Sequence, residues 1–262
     1  LTGRVITVPL QNIVITGANS GIGFEAAKHF ARSGATVVMA CRSLDKAEKA
    51  QSDILNAVPQ AKLHVLRLDV SDTESVQDFS RQFATQIGQL DLLINNAGIV
   101  AIPLARNSAG HEIQLTTNYL GAFALTGLLL PYFRRDVQAR IVNVGSLMHR
   151  TGKLSLDDFN WEIGPYDQWQ AYARSKVAMM SYTLELNRRL QSSVSNIIAL
   201  GAHPGFANTA IYEKSPTLQE RKKAGSNWFK KKMEAMIPLA DSAVKPIILA
   251  AESPKAAGGD YW

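Results

Sequence analysis

Short β-branched runs alternate with longer helical patterns along most of this chain. Between the runs, apolar residues recur at helical spacing, as at Val76, Phe79 and Phe83. This alternation predicts βαβ units and a doubly wound α/β fold, with a mostly parallel sheet of about seven strands and helices on both faces. The runs predicted as buried strands are 13–16, 36–40, 63–68, 90–95, 141–144 and 197–202.

The composition is that of an ordinary globular protein. Hydrophobic residues make up 46% and charged residues 19% of 262 residues, and the chain contains neither a linker nor a repeat, so we expect one domain over 1–262. The single cysteine, Cys41, excludes an intramolecular disulfide and a cysteine metal cluster. The uncharged run 119–133 is shorter than the roughly 18 residues of a membrane span and predicts a buried core helix. We expect a cytoplasmic protein, with membrane association left open because the chain begins with Leu1 rather than Met.

The net charge of +6 is concentrated in one segment. Between Glu213 and Glu234, seven basic residues stand against three glutamates. Such a balance permits contact with nucleic acid or an anionic membrane but does not require it, and a charge run more often forms a solvated helix face.

A glycine-rich turn separates the first predicted strand from the first helical pattern. Glycines at this point allow a backbone to approach a pyrophosphate closely, and the helix N-terminus supplies free N–H donors. The strand, turn and helix context favours a dinucleotide site over a purely structural turn. The candidate binding residues are Gly17, Asn19, Ser20, Gly21, Ile22 and Gly23.

The end of the second predicted strand indicates the preferred dinucleotide. An NAD-binding chain normally places Asp or Glu about 20 residues after the glycines. Here the first carboxylate after the second predicted strand is Asp45, and Arg42 stands at the strand end instead. A guanidinium suits a 2'-phosphate, so NADP is predicted, although Arg42 alone could also be a solvated surface residue.

Tyr172 and Lys176 stand four residues apart in a long helical pattern, which places them on one helix face. Proton transfer by a phenol near neutral pH requires its pKa to fall by about three units, or about 4 kcal/mol. An ammonium about 5 Å away supplies roughly 3 kcal/mol at an effective dielectric constant of about 20. In isolation this spacing is more often a plain amphipathic pattern, so the neighbouring motifs decide its meaning.

Further motifs follow in a fixed order: TGANSGIG at 16–23, Asp69-Val70, NNAG at 95–98, Asn118, Ser146, YARSK at 172–176 and Pro204-Gly205 with Thr209. In this order and spacing the chain resembles the short-chain dehydrogenase/reductase family over nearly its whole length. The surroundings of Arg42 and Asn118 are most similar to the retinol dehydrogenase branch of that family.

The resemblance implies a catalytic role for four residues. Tyr172 would exchange a proton with the substrate oxygen while hydride passes between the nicotinamide and the substrate carbon. Ser146 would polarise the same oxygen, and Lys176 would lower the tyrosine pKa and bind the nicotinamide ribose. Asn118 would complete a water-linked proton path behind Lys176.

The resemblance also implies cofactor contacts at later strand ends. Asp69 would hold the adenine amino group, with the Val70 backbone beside it. The wall beside adenine and its ribose would be shaped by Asn95, Ala97 and Gly98, which would also stabilise the central sheet. The turn around the carboxamide and phosphates would be formed by Pro204, Gly205 and Thr209.

Two departures from the family pattern concern the substrate side. Ser146 and Tyr172 are 26 residues apart, about twice the usual interval, and the extra length holds Trp161, Tyr166 and Trp169, which we expect in the substrate wall. Gly145 stands where many members carry a second serine and is expected to widen the site slightly. His149 and His203 receive no role, because a lone histidine is more often a packed or exposed residue.

The sequence thus predicts an NADP(H)-dependent alcohol dehydrogenase or carbonyl reductase for a hydrophobic aldehyde or ketone, retinal-like or otherwise. We expect a homo-oligomer without a metal or a nucleic-acid partner, and a substrate lid over about 206–238 that carries the basic stretch. Two alternatives stay open: a light-driven reductase of a tetrapyrrole double bond, and a non-catalytic NADP-binding regulator, against which the four intact catalytic residues argue.

Overall fold

A computed structural model of the chain describes residues 11–193, 195–205 and 240–262. One six-stranded sheet has the order β3-β2-β1-β4-β5-β6, and every neighbouring pair is parallel. The strands are β1 Asn12–Thr16, β2 Thr36–Cys41, β3 Lys62–Arg67, β4 Leu92–Asn95, β5 Ala139–Val144 and β6 Ile197–Ala202. The helices are α1 Gly21–Arg32, α2 Leu44–Ala57, α3 Thr73–Gln86, α4 Ile113–Leu115, α5 Gly121–Leu129, α6 Gln168–Ser192, α7 Ala240–Ala243 and α8 Lys245–Glu252.

Side chains from alternate strand positions build two hydrophobic layers, one on each face of the sheet. Ile13 and Ile15 of β1 enter one layer, while Val14 between them enters the other. This division follows from the two-residue period of a strand, and both layers are apolar because both faces are covered. The doubly wound fold predicted from the sequence is confirmed.

Each layer is closed by its own set of helices. Phe30 of α1, Ile54 of α2 and Ile247 of α8 pack into the first layer. The second layer receives side chains of α3, α5 and α6, including the fully buried Phe79 and Leu125. Because the chain returns to the far side of β1 between β3 and β4, the sheet has a switch point beside the carboxyl end of β1, where open α/β sheets bind ligands.

The predicted count of about seven strands differs from the six strands of the described residues. Residues 260–262 lie alongside β6. The backbone N–H of Gly201 donates to Asp260 O at 2.8 Å and that of Trp262 to Gly201 O at 3.0 Å, but the pairing amounts to one isolated bridge at Tyr261. A single bridged residue pair does not make a further strand.

The apolar run expected as a buried helix belongs to a longer helical segment. Residues Ile113–Tyr132 are long and apolar enough to cross a membrane by length and composition alone, and about half of this segment is buried inside the fold. Leu125 and Leu129 are fully buried in the second hydrophobic layer. The segment contains a π-helical turn at Thr116–Leu120, which holds Asn118.

Candidate active site

A cavity of about 460 Å³ opens at the carboxyl ends of the strands, beside the switch point. It brings together most of the residues singled out from the sequence, although these lie on many separate segments. Those lining it are Gly17, Asn19, Ser20, Gly21, Ile22, Arg42, Asp69, Val70, Ala97, Gly98, Ser146, Tyr172, Lys176, Pro204 and Gly205.

Three predicted site residues lie behind the cavity wall instead of lining it. Asn95 is buried, and its Nδ2 donates to Asn143 Oδ1 at 2.8 Å and to Thr126 Oγ1 at 3.1 Å, so it joins β4 to β5 and α5. Gly23 faces the backbone of Gly17, and Asn118 is described below. Asn95 therefore stabilises the central sheet, which is one half of its expected role, whereas its side chain does not line the cavity as the other half requires. Thr209 and the predicted lid over about 206–238 lie outside the described residues.

The glycine turn has the backbone that its residues predict. Gly17 and Gly21 have φ values of +68° and +57°, a region that residues with a Cβ seldom adopt. A Cβ on Gly23 would overlap the Gly17 carbonyl oxygen, so this glycine allows α1 to pack against the turn. The first turn of α1, through Gly21 and Ile22, lines the cavity and directs its free N–H groups there.

The turn is fixed to the end of β4 by a side chain that sequence reasoning missed. Asn96 Nδ2 donates to Thr16 O at 2.8 Å, and Thr16 Oγ1 accepts the backbone N–H groups of Asn96 and Ala97 at 2.9 and 2.8 Å. Asn96 itself also lines the cavity. These bonds connect the two strand ends at the switch point. The pair of asparagines in NNAG was the available signal, but only the three-dimensional arrangement separates the role of Asn96 from that of Asn95.

Basic side chains mark one end of the cavity. Arg42 lines it with 76% of its side chain exposed, and its Nε lies 4.0 Å from Asp69 Oδ2. Lys46, four residues further along the start of α2, lines the same end together with Ser43. Sequence reasoning missed Lys46, although a second basic residue in the first turn of the helix after Arg42 could have indicated it. This end of the cavity can therefore offer two cations to an anionic group.

Tyr172 and Lys176 lie at the other end, on one face of α6, as predicted. Both are nearly buried, at 5% and 6% exposed. Lys176 Nζ lies 5.8 Å from the centre of the Tyr172 ring and donates to Val144 O at 2.8 Å. Burial lowers the pKa of Lys176 to about 8, because the charged ammonium loses its water. At neutral pH the side chain is still mainly protonated and can act on the tyrosine.

Ser146 reaches the same end of the cavity from the loop after β5. Its Oγ accepts the backbone N–H of Met148 at 3.3 Å and caps a short 3-10 helix, Leu147–Arg150. Its carbonyl oxygen accepts from His149 Nδ1 at 2.5 Å. A carbonyl can only accept, so that ring nitrogen carries a proton. The turn that follows Ser146 thereby holds it at the cavity wall, which Tyr172 also lines.

The Asn118 side chain is buried and engaged in hydrogen bonds. Its Oδ1 accepts from the backbone N–H of Ile99 at 2.8 Å, and its Nδ2 donates to Ile99 O and Ser175 Oγ, both at 2.9 Å. These bonds join the loop after β4 to α6, one residue away from Lys176. The side chain therefore positions the two walls of the site.

The long interval between Ser146 and Tyr172 contributes unevenly to the site. Trp169 packs with Met148 against a cluster of Val100, Ala101 and Tyr172, so it lies beside the tyrosine. The other two aromatic residues of the interval are held elsewhere. Trp161 lies under the Arg174 guanidinium, 4.1 Å from the ring centre, and Tyr166 donates to the buried Glu112 carboxylate at 2.8 Å. Of the three, only Trp169 packs in the cluster with Tyr172, and none of them lines the cavity.

The space beside Gly145 is filled from a distant part of the chain. A Cβ at this position would lie 2.9 Å from Tyr261 Oη and 3.1 Å from Met180 Sδ. The missing side chain therefore makes room for Tyr261 instead of the expected extra width.

Cys41 is 1% exposed at the end of β2. Burial raises the pKa of its thiol to about 11. The thiol stays protonated at neutral pH, which confirms a small packed residue rather than a nucleophile.

A family model described as short chain dehydrogenase matches residues 11–220. Retinol dehydrogenase 13 of Mus musculus is 38% identical over 205 residues, which cover 78% of this chain and 61% of that protein. Retinol dehydrogenase 12 of Homo sapiens is 38% identical over 213 residues, covering 81% and 66%. The chain thus spans less than two thirds of the length of these relatives.

Solved structures share the fold over almost the whole chain. A protein of Mycobacterium paratuberculosis superposes with a TM-score of 0.75 at 37% identity, covering 96% of this chain and 79% of that one. A short-chain dehydrogenase of Shigella flexneri in complex with NADP has a TM-score of 0.71 at 22% identity, covering 96% and 95%, and shows likeness of fold. The match over residues 11–220, together with the retinol dehydrogenase relatives, establishes that the chain belongs to the short-chain dehydrogenase family and is retinol dehydrogenase-like.

Proposed function

We propose that this oxidoreductase interconverts a hydrophobic alcohol and its aldehyde or ketone and uses NADP(H). One observation carries the proposal: Tyr172, Lys176 and Ser146 meet at one end of a cavity whose other end holds Arg42. The glycine turn lies between these two ends. A dinucleotide lying along the cavity would thus meet an anion site, a pyrophosphate site and a proton donor, in that order from one end to the other.

The residues present fit NADP(H). Two glycines in the left-handed region leave room for a pyrophosphate above the first turn of α1. Arg42 and Lys46 are suited to a 2'-phosphate, and β2 ends without a carboxylate that would prefer a free ribose hydroxyl. When bound, the nicotinamide supplies or accepts the hydride.

Tyr172 is the proposed proton donor and acceptor. Lowering its pKa to near neutrality requires about 4 kcal/mol, starting from a usual value near 10. An ammonium 5.8 Å from the ring supplies about 3 kcal/mol at an effective dielectric constant of about 20. Lys176 therefore provides most of the required stabilisation of the phenolate.

Ser146 and Asn118 complete the proposed machinery in different ways. The Ser146 hydroxyl, held at the cavity wall, would donate to the substrate oxygen and polarise it. Asn118 would act as a positioning residue, because its amide fixes Ile99 and Ser175 on either side of the site. A water-linked proton path behind Lys176 remains part of the proposal.

The surroundings of Tyr172 support an apolar substrate. Val100, Ala101, Met148 and Trp169 pack around it, and Val100 and Ile102 line the cavity. The relatives' names, retinol dehydrogenases, agree with a long apolar alcohol or aldehyde as the substrate class.

A panel of carbonyl compounds tests this function. Apolar aldehydes and ketones, retinal among them, are supplied with NADPH or NADH, and the loss of nicotinamide absorbance is followed, with a charged aldehyde of similar length as the control. We expect faster turnover with NADPH and with the apolar members. Tight nucleotide binding without turnover on any member would contradict the proposal and favour a regulatory protein. Light-dependent bleaching of a tetrapyrrole would instead favour the photoreductase.

A further inference from the structure

The histidine directly after β6 forms a hydrogen bond that defines its protonation state. His203 Nδ1 lies 2.8 Å from the backbone nitrogen of Gly205. A backbone N–H can only donate, so Nδ1 must be the acceptor and carry no proton. The ring is therefore neutral, with its proton on Nε2. Protonation of Nδ1 would replace this hydrogen bond by a contact between two donors.

The bond spans a turn that forms part of the cavity. Pro204 and Gly205, which follow His203 directly, both line the cavity. Gly205 has a φ of +69°, so the turn adopts a backbone conformation that the histidine bond helps to select. The same arrangement, in which a side chain accepts the N–H two residues later, is formed by Asn and Asp in Asx-turns.

The surroundings of His203 favour its neutral form. The Tyr261 ring stacks on it at 5.9 Å with an angle of 21°, and His149 and Arg150 face it from the 3-10 helix after Ser146. Burial, followed by the charges of His149 and Arg150, lowers the pKa of His203. The phenol of Tyr261 stays protonated in this range, because burial raises its pKa to about 12.

We propose that His203 is a positioning residue of the nucleotide site: as a neutral acceptor it holds the Pro204-Gly205 turn in its binding geometry, and protonation releases the turn and weakens nucleotide binding. This inference rests on the proposed function, because it requires a nucleotide in the cavity. It also opposes the simplest electrostatic expectation. A protonated histidine next to phosphates would otherwise strengthen binding as the pH falls.

The test is nucleotide affinity as a function of pH, measured by NADPH fluorescence on the intact chain from about pH 5.5 to 8.5. His203→Asn keeps an acceptor at the position of Nδ1 but does not titrate, and His203→Ala removes the acceptor. His29→Asn, which removes a histidine paired with Glu252, is the matched control. Phosphate groups of the nucleotide titrate in every variant, so the readout is the ratio of each variant's Kd to that of the wild type.

We expect the wild type and His203→Asn to bind alike near pH 8. Toward pH 5.5 the wild type should weaken two- to tenfold relative to His203→Asn, the effect of losing one neutral hydrogen bond. His203→Ala, which lacks the acceptor, should bind NADPH more weakly than His203→Asn by a similar factor at every pH. The Asn variant thus rescues the affinity that the Ala variant loses, and thermal melting confirms that both fold.

Four results would overturn the inference. Parallel pH profiles of wild type and His203→Asn would show that His203 protonation has no effect on the turn. Tighter wild-type binding at low pH would show that direct attraction to phosphate prevails. Failure of the wild type to bind NADPH at any pH would contradict the proposed function as well, whereas normal binding and turnover with unaffected variants would contradict this inference alone.

Discussion

Lys176 Nζ donates a 2.8 Å hydrogen bond to the carbonyl oxygen of Val144, the last residue of β5. This bond ties α6, which carries Tyr172, to the strand that ends two residues before Ser146. The spacing between tyrosine and serine therefore depends on a side chain that also supplies the positive charge of the site. Lys176 therefore both positions α6 against β5 and supplies positive charge beside Tyr172.

This buried ammonium makes folding stability dependent on pH. Burial lowers the pKa of Lys176 from its usual 10.5 to about 8, so between these values the unfolded chain binds more protons than the folded one. Stability contributed by this group must then rise with pH across that window. We expect the unfolding free energy of the wild type, relative to Lys176→Met, to rise by on the order of 1–3 kcal/mol from about pH 8 to 10.5.

Urea unfolding of both proteins at several pH values measures this difference. Lys28→Met, which removes a partly exposed lysine on α1, is the control and should follow the wild type. A difference between wild type and Lys176→Met that stays constant or falls with rising pH would contradict the assigned shift.

Arg42 is expected to determine the choice of coenzyme. Losing a charge-assisted bond to a 2'-phosphate costs roughly 1.5–3 kcal/mol, so Arg42→Ala should weaken NADP(H) binding about ten- to a hundredfold. NAD(H), which lacks this phosphate, should be little affected. Lys46→Ala should show the same selectivity to a smaller extent, because Arg42 is the better matched donor. Calorimetric titrations with both coenzymes decide the matter, and equal losses for both would refute this role.

Gly23 is expected to tolerate no side chain. A Cβ there would overlap the Gly17 carbonyl, a backbone atom that cannot move without displacing the turn. Gly23→Ala should cost about 1–3 kcal/mol of stability and reduce nucleotide binding sharply. Gly127→Ala in α5, where a Cβ meets no atom within 4 Å, is the matched control and should be neutral or slightly stabilising. If both variants behave alike, close packing at the turn is not the reason for Gly23.

Features with a local signature could be predicted from the sequence. All six strands of the described residues were expected, because continuous apolar runs mark strands covered on both faces. The glycine turn and the shared helix face of Tyr172 and Lys176 could also be predicted, because each has a local sequence signature. Each depends on residues only a few positions apart.

Features that depend on distant contacts could not be predicted in this way. The direction of the Asn95 side chain is set by Thr126 and Asn143, and the space beside Gly145 is filled by Tyr261. Likewise, the role inferred for His203 follows from the direction of one hydrogen bond. The local sequence pattern can single out such residues, but it does not predict which distant residues they contact.

The central claim is that Tyr172 transfers the proton at the cavity formed with Lys176 and Ser146. The most direct test compares the wild type with Tyr172→Phe for NADPH oxidation on the best substrate of the panel and for NADPH affinity. Because only the phenolic hydroxyl is removed, we predict that kcat falls at least about a hundredfold while Kd changes less than about twofold. Comparable turnover by the two proteins would contradict the account.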